Sequence, residues 1–350
     1  MQLWNTLRHP GVRAALLSAL LFGAATPLAK PLLTGNSPWV IAALLYLGSG
    51  SGLFIFRRLR RAQAVRLPRA EAGWFGAAVL AGGVIAPVLL MLGLRAAPAS
   101  SAALLLNAEG VLTALLAWFA FRENVDRRVA LGMAAIVAGA VVLAWPRQVD
   151  AADLLPTLCI LGACLAWAID NNLTRKVSLS DGSWIASVKG LVAGSTNLVL
   201  ALALGAHLPP LPVMAATAVL GFLAYGVSLS LFVVALRHLG TARSGAYFSA
   251  APFLGAMLAL LMGEALSEQL VTAGLLMGLG IWLHLTETHS HEHLHDEIEH
   301  EHAHRHDDLH HTHEHGQDVA PGVVHSHRHR HAATRHAHAH FPDSHHQHSH

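Results

Sequence analysis

Long apolar stretches joined by short polar connections run from about residue 12 to residue 285. A polar, histidine-laden stretch follows them. A helix that crosses a bilayer needs about 20 mostly apolar residues. Ten stretches fit, at approximately 12–34, 38–56, 73–95, 98–121, 128–145, 154–175, 182–205, 213–236, 241–263 and 268–285. Lipid offers the backbone no hydrogen-bond partners, so a crossing segment is a helix or a strand of a closed barrel. These stretches lack the two-residue alternation of barrel strands. The predicted fold is therefore an all-α polytopic membrane protein with ten transmembrane helices. The stretch from Leu16 to Leu33 is long enough to span and has a counterpart later in the chain, so it is expected to be a retained span, not a cleaved leader.

Charge placement sets the expected orientation. Arg57, Arg58, Arg60, Arg61, Arg66 and Arg69 follow the second stretch, and Arg122, Arg127 and Arg128 the fourth. Arg175 and Lys176 follow the sixth, and Arg237 and Arg243 the eighth. The alternate connections hold only Lys30, Arg95 and Arg147. By the positive-inside rule both termini, and the histidine-rich tail, are cytoplasmic in a bacterial-type inner membrane. The arginine-rich connection at 57–69 is expected to meet anionic lipid headgroups.

The chain reads as two related halves, residues 1–145 and 146–286, followed by a tail at 287–350. Leu21-Phe-Gly-Ala-Ala-Thr-Pro-Leu-Ala-Lys30 aligns with Trp167-Ala-Ile-Asp-Asn-Asn-Leu-Thr-Arg-Lys176. Gly93-Leu-Arg-Ala-Ala-Pro-Ala-Ser-Ser101 aligns with Ala235-Leu-Arg-His-Leu-Gly-Thr-Ala-Arg243. Glu123 and Glu264 each close the fourth span of their half and are read as interfacial. Five helices per half is an odd number, so the second copy enters the membrane inverted. Inverted repeats of this kind support alternating access around a site near the midplane.

The two five-helix repeats, the short basic connection after the fourth helix and the span Ala-Pro-Phe-Leu-Gly-Ala…Gly-Glu264 resemble the EamA-like transporters of the drug/metabolite transporter superfamily. Asn107-Ala-Glu-Gly-Val111 is similar to the family's Leu-Glu-Pro-Val element, with Gly110 where a proline is usual. The resemblance covers about residues 12–285. It implies ten helices and a carrier of small metabolites, often an exporter, and names no substrate.

Composition agrees with membrane residence: 53% of the residues are hydrophobic and 13% charged, against about 25% charged in soluble proteins. The formal net charge of +2 carries no information on partners. Cys159 and Cys164 lie five apart in one apolar stretch and read as buried small side chains, with no disulfide or zinc framework.

Ionisable groups inside a bilayer are functional candidates because they are costly, about 2.5–3.5 kcal/mol each on the insertion scale. Glu109 lies about eleven residues into the fourth span, roughly 16 Å deep, as a candidate substrate or proton site. Asp170 and Lys189 fall at similar depth on consecutive helices and are expected to pair, with Asn171 and Asn172 adding a polar face. Tyr225, Tyr247 and Ser249 are candidate cavity residues, and Pro252 a hinge. Gly190-Leu-Val-Ala-Gly194 and Gly274-Leu-Leu-Met-Gly278 fit the small-xxx-small pattern for close helix contact.

All but three of the 27 histidines lie from His284 onward. They alternate as His-x-His: His291, His293, His295; His300, His302, His304, His306; His311, His313, His315; His325, His327, His329, His331, and again near the C-terminus. Neutral imidazole suits zinc, nickel, cobalt and copper. Glu292, Asp296, Glu301, Asp307 and Asp308 stand among them as ligands or supporting acids. The tail is expected to be disordered by itself and to bind several ions through exchangeable ligands.

The expected function is an inner-membrane transporter exporting a small solute, with a metal-binding cytoplasmic tail. It needs no cofactor, and its partners are the lipid bilayer and either a small-molecule or a metal-ion substrate. The alternatives are a nickel, cobalt or zinc exporter with the tail as collecting antenna, and a non-transporting membrane protein that buffers metal. No nucleophile–base set, phosphate loop or nucleic-acid motif appears, so neither an enzyme nor a nucleic-acid binder is expected. Monomer and homodimer are both compatible with the sequence.

Overall fold

The computed structural model describes residues 9–62, 65, 67–121, 127–145, 151–174, 181–285, 290–295, 298–304, 325–331 and 334–339. The chain divides into two units, Met1–Thr286 and Glu287–His350.

The first unit is helical. Its elements are α1 (Pro10–Gly23), α2 (Ala25–Leu32), α3 (Pro38–Leu59), α4 (Arg69–Ala78), a π turn (Val79–Ile85), α5 (Ala86–Ala96), α6 (Ala99–Leu105), α7 (Ala108–Phe121), α8 (Arg127–Ala144) and α9 (Ala151–Thr174). Then come α10 (Gly182–Ala203), α11 (Leu211–Gly221), a second π turn (Phe222–Val227), α12 (Ser228–Phe248), α13 (Ala251–Leu261) and α14 (Glu268–Leu285). Eight helical segments are long and apolar enough to cross a membrane, and Ala251–Leu261 and Glu268–Leu283 are shorter apolar helices. The chain is a multi-pass membrane protein.

Several expected spans are interrupted near their middle. The first breaks at Ala24, between α1 and α2, and the fourth at Leu106–Asn107, between α6 and α7. The stretches expected at 213–236 and 241–263 are joined through α12, whose helical backbone reaches residue 248. The chain nevertheless turns back within α12. The rings of Phe232 and Phe248 lie 4.9 Å apart, where a straight helix would separate their backbones by about 24 Å.

Helix packing relies on backbone approach. The most extensive contacts join α3 to α10, α8 to α14 and α1 to α12. Gly190 meets the Cα of Gly50 at 2.7 Å from its ideal Cβ position, and Gly194 meets the backbone nitrogen of Leu47 at 2.8 Å. This small-xxx-small pair is thus a close helix crossing. Gly274 and Gly278 meet only side chains, Leu104 at 3.7 Å and Phe253 at 3.9 Å, which is ordinary packing. A Cβ at Gly221 would collide with the Leu45 carbonyl, and one at Gly48 with Ala218. Gly221→Val is expected to part α3 from α11 and to abolish the monodisperse, folded fraction recovered in detergent. Substitution at Gly73, which has nothing within 4 Å, should leave that fraction unchanged. Size-exclusion chromatography of the two variants checks this.

The second unit is the histidine-rich tail. It carries β1 (Ser290–His295), β2 (Ile298–His304), β3 (His325–His331) and β4 (Thr334–Ala339). β1 pairs antiparallel with β4, and β2 with β3. The physical reason lies in the pattern: His-x-His alternation has the strand's own two-residue period. The register sets Glu299 opposite Arg330 and Glu301 opposite Arg328. His306, His311, His313 and His315, like Glu123 and Lys176, lie outside the described residues.

Candidate functional site

The polar groups of the helical unit gather around the first π turn. Pro87 has no amide to offer the carbonyl four residues earlier, so Gly83 is left without its helical donor. A π turn widens the ladder and loosens its hydrogen bonds. Side chains from other helices occupy the freed acceptors. The Tyr46 hydroxyl donates to the Gly82 carbonyl at 2.8 Å and Trp167 Nε1 donates to the same oxygen at 3.0 Å. Asn197 Nδ2 donates to the carbonyls of Gly83 and Val84 at 3.3 and 3.2 Å. Residues from α3, α9 and α10 therefore converge on one turn.

Against this turn lies the ion pair expected from the sequence. Lys189 Nζ donates to both carboxylate oxygens of Asp170 at 2.7 Å. Thr174, one turn further along α9, donates to Asp170 Oδ1 at 2.8 Å. Asp170 is 5% exposed. The glycine pair at 82–83 is what admits it: a Cβ on Gly82 would overlap the Asp170 carboxylate, and one on Gly83 would meet Ala193 at 2.6 Å.

Glu109 sits in the first turn of α7, facing α9. Its Oε1 accepts from Asn171 Nδ2 at 3.0 Å, and the same amide reaches Thr113 Oγ1 at 3.3 Å. Asn172 Nδ2 bonds the Thr113 and Ala168 carbonyls. Glu109 is half-buried, and Asp170 and Lys189 are near enough to act on it electrostatically. No basic side chain pairs with Glu109 among the described residues. One acid of this cluster is thus neutralised by a bidentate lysine, and the other carries only neutral amide support.

A cavity of about 110 Å³ adjoins the pair, lined by Tyr46, Ser49, Ala186, Lys189, Gly190 and Tyr225. Tyr225 comes from the second π turn and lies 5.9 Å, ring to ring, from both Tyr46 and Phe22. Phe22 in turn meets Phe248 at 5.2 Å. An aromatic wall therefore runs from α3 through the second π turn to α1 and the end of α12.

Of the residues singled out in the sequence, Glu109 and Asn171 are hydrogen-bonded, and Asp170 and Lys189 form their pair beside them. Tyr247 lies elsewhere, in an apolar cluster with Ala14, Ala15 and Ala235. The cavity takes its tyrosines from positions 46 and 225 instead. Tyr46, Trp167, Asn197 and Thr113 carried no signal of their own in the sequence. Gly82-Gly83 followed by Pro87 was the legible mark of a bent, closely approached helix.

At the membrane face that bears the arginine-rich connection, Arg57 bonds Asp181 and Ser183. Asp181 also caps α10, accepting from the backbone nitrogens of Ser183 at 2.8 Å and Trp184 at 3.3 Å. Burial alone would push the Asp181 carboxyl up. The Ser183 hydroxyl, the Arg57 guanidinium and the two backbone amides outweigh it and hold the carboxyl down at about 2. A depressed carboxylate stabilises the fold above its ordinary pKa of 3.8 and loses that contribution as pH falls toward 2. Asp181→Asn is therefore expected to lower the melting temperature by about 1–3 °C at pH 6 and to have a clearly smaller effect near pH 2, read from melting curves of the solubilised protein.

Comparison with known proteins places this geometry. A solved crystal structure superposes with a TM-score of 0.60 at 18% identity, covering 78% of this chain and 95% of that one, a likeness of fold. A Methanothermobacter thermautotrophicus protein described as an uncharacterized transporter is 27% identical over 294 residues, covering 78% of this chain and 85% of the relative. Residues 9–145, which contain the first π turn and Glu109, match the model of the EamA-like transporter family.

Proposed function

We propose that the chain is a secondary transporter of the drug/metabolite type, which moves a small organic solute by alternating access and exports it from the cytoplasm. The observation that carries this reading is Glu109: a carboxylate deep in a span, with no basic partner among the described residues, hydrogen-bonded to Asn171 next to the Asp170–Lys189 pair. A charge kept there at a cost is explained by something that binds to it. The inverted-repeat reading draws support from the placement of the irregular turns. Both halves carry a π turn in their third expected span, and both break their fourth, at Leu106–Asn107 and at Ser249–Ala250. The ten-helix count, the cytoplasmic termini and the inner-membrane location belong to the same reading and rest on charge placement.

The two deep acids have different partners, Asn171 for Glu109 and Lys189 for Asp170, and this reading gives both to the path of an organic solute. Metal chemistry in this reading belongs to the tail. There the strand register sets histidine opposite histidine at 291/338, 293/336, 300/329, 302/327 and 304/325. In this reading each opposed pair shares one ion. Replacing His325, His327 and His329 by Ala is then expected to remove as much bound zinc from the full-length protein as replacing those three together with His300, His302 and His304. Purely local binding along each arm predicts half the loss, and equilibrium dialysis separates the two.

The function is tested by reconstitution into liposomes and counterflow of labelled amines, amino acids, nucleosides and divalent metals. Accumulation of an organic solute supports the reading. Movement of metal alone, weakened by truncation after Leu285, would replace it with a metal exporter. Movement of nothing, with zinc still bound, would leave a membrane metal buffer.

A further inference from the structure

We propose that Lys30 and Glu264 are the latch of a gate on the membrane face away from the arginine-rich connection, and that transport requires the latch to release. The proposal rests on the transporter reading above.

Three short helices lie on the same side of the mid-span interruptions. α2 follows the break at Ala24, α6 precedes the break at Leu106–Asn107, and α13 follows the break at Ser249–Ala250. All three pack on one another. A Cβ on Gly23 would overlap the Ala251 carbonyl, and Ala103 lies 3.2 Å from the Cβ position of Gly255. Together they form a plug on the face to which the chain comes between α2 and α3.

Two opposite charges tie this plug. Lys30, from α2, donates to the carbonyls of Leu94, Arg95 and Ala97 at 2.7, 3.3 and 2.6 Å. Glu264, just after α13, accepts from the backbone nitrogens of Ala99 and Ser100 at 2.6 and 2.8 Å. The connection between α5 and α6 is therefore held at its carbonyl end by a cation and at its amide end by an anion. Each charge has the sign that the helix end demands. An ordinary cap is supplied by residues next to the helix it closes. These come from 64 to 67 residues away for Lys30 and from 164 to 165 away for Glu264. They join the first expected span, the third-to-fourth connection and the ninth span at one end only.

The hydrogen-bond ladder is weakened in two of the same segments. Pro27 leaves the Gly23 carbonyl without its helical donor, and Pro252 does the same for Phe248. The breaks thus stand between the latched tips and the parts that carry Glu109 and Phe248. A few residues at element ends are the usual location of hinges.

The test uses full-length protein in oriented vesicles with Cys159 and Cys164 replaced by Ser and a reporter cysteine at Ser49, which lines the cavity. A membrane-impermeant maleimide reports access from each face. Lys30→Gln and Glu264→Gln are expected to raise the labelling rate from the latched face at least fivefold and to lower it from the arginine-rich face by a similar factor. Lys30→Arg is expected to restore the original pattern. A rise on the latched face without the reciprocal fall would make the two residues helix caps and overturn the latch, as would unchanged labelling on both faces. The parent reading fails separately: a reporter in the otherwise unaltered protein that is reachable from only one face under every solute gradient excludes alternating access.

Discussion

Glu109→Gln is expected to lower gradient-driven transport about 100-fold while leaving the protein folded. Glutamine keeps an oxygen for the Asn171 amide and differs from glutamate mainly in charge. Glutamine neither binds a proton nor carries a charge, so a step that needs either is lost; a drop of about 100-fold corresponds to about 2.8 kcal/mol. Efflux from liposomes with an imposed pH gradient measures the driven rate, and exchange of labelled for unlabelled solute without a gradient measures binding and turnover. A coupling carboxylate predicts that exchange survives while driven efflux is lost. Equal loss of both would make Glu109 a cargo ligand. Equal retention would reduce it to a packing residue.

The second large effect is expected at the ion pair. Asp170→Leu alone leaves the Lys189 ammonium buried without its bidentate partner, and Lys189→Met alone leaves a carboxylate that is 5% exposed. Breaking a buried pair from one side costs about 3–5 kcal/mol, whereas replacing both members with apolar groups is often neutral. Either single variant should thus lose most of its folded yield, and the double variant Asp170→Leu/Lys189→Met should recover it. Thermal melting in detergent separates these outcomes. Transport by the recovered double variant then separates structure from mechanism. Full activity would make the pair a packing device for the Gly82–Gly83 turn. Inactivity in a well-folded protein would place the pair in the solute path.

How much of this site was legible depended on the residue. Glu109, Asp170 and Lys189 stand out in any apolar stretch, because a charge in hydrocarbon needs a reason. Depth along the helix was enough to pair Asp170 with Lys189. Tyr247 was indistinguishable from Tyr225 by the same logic: both are tyrosines in apolar helices, and only the rotation of each helix decides which faces the cavity. Trp167 was visible only as part of a repeat, and its bond to the Gly82 carbonyl depends on a π turn that no residue pattern in the first half announces beyond Gly-Gly and Pro87. Glu264 appeared as an end-of-span acid. Its bonds to Ala99 and Ser100 lie more than 160 residues away in the chain.

Hydropathy and charge by themselves determined that this is a multi-pass helical membrane protein, because lipid leaves the polar backbone of an apolar segment no alternative to internal hydrogen bonding. They also determined where the expensive groups sit and that the histidines follow a two-residue period. Beyond the Asp170–Lys189 pair, the tertiary structure alone decided which of those groups meet. It opened the ladder at Val79–Ile85 and Phe222–Val227, turned α12 back on itself so that Phe248 reached Phe22, and brought Lys30 and Glu264 to the two ends of one connection. Such contacts follow from helix rotation and crossing, which the shapes of small residues such as Gly50, Gly190 and Gly221 set. A one-dimensional pattern records the period of a helix but not the neighbour its face will find.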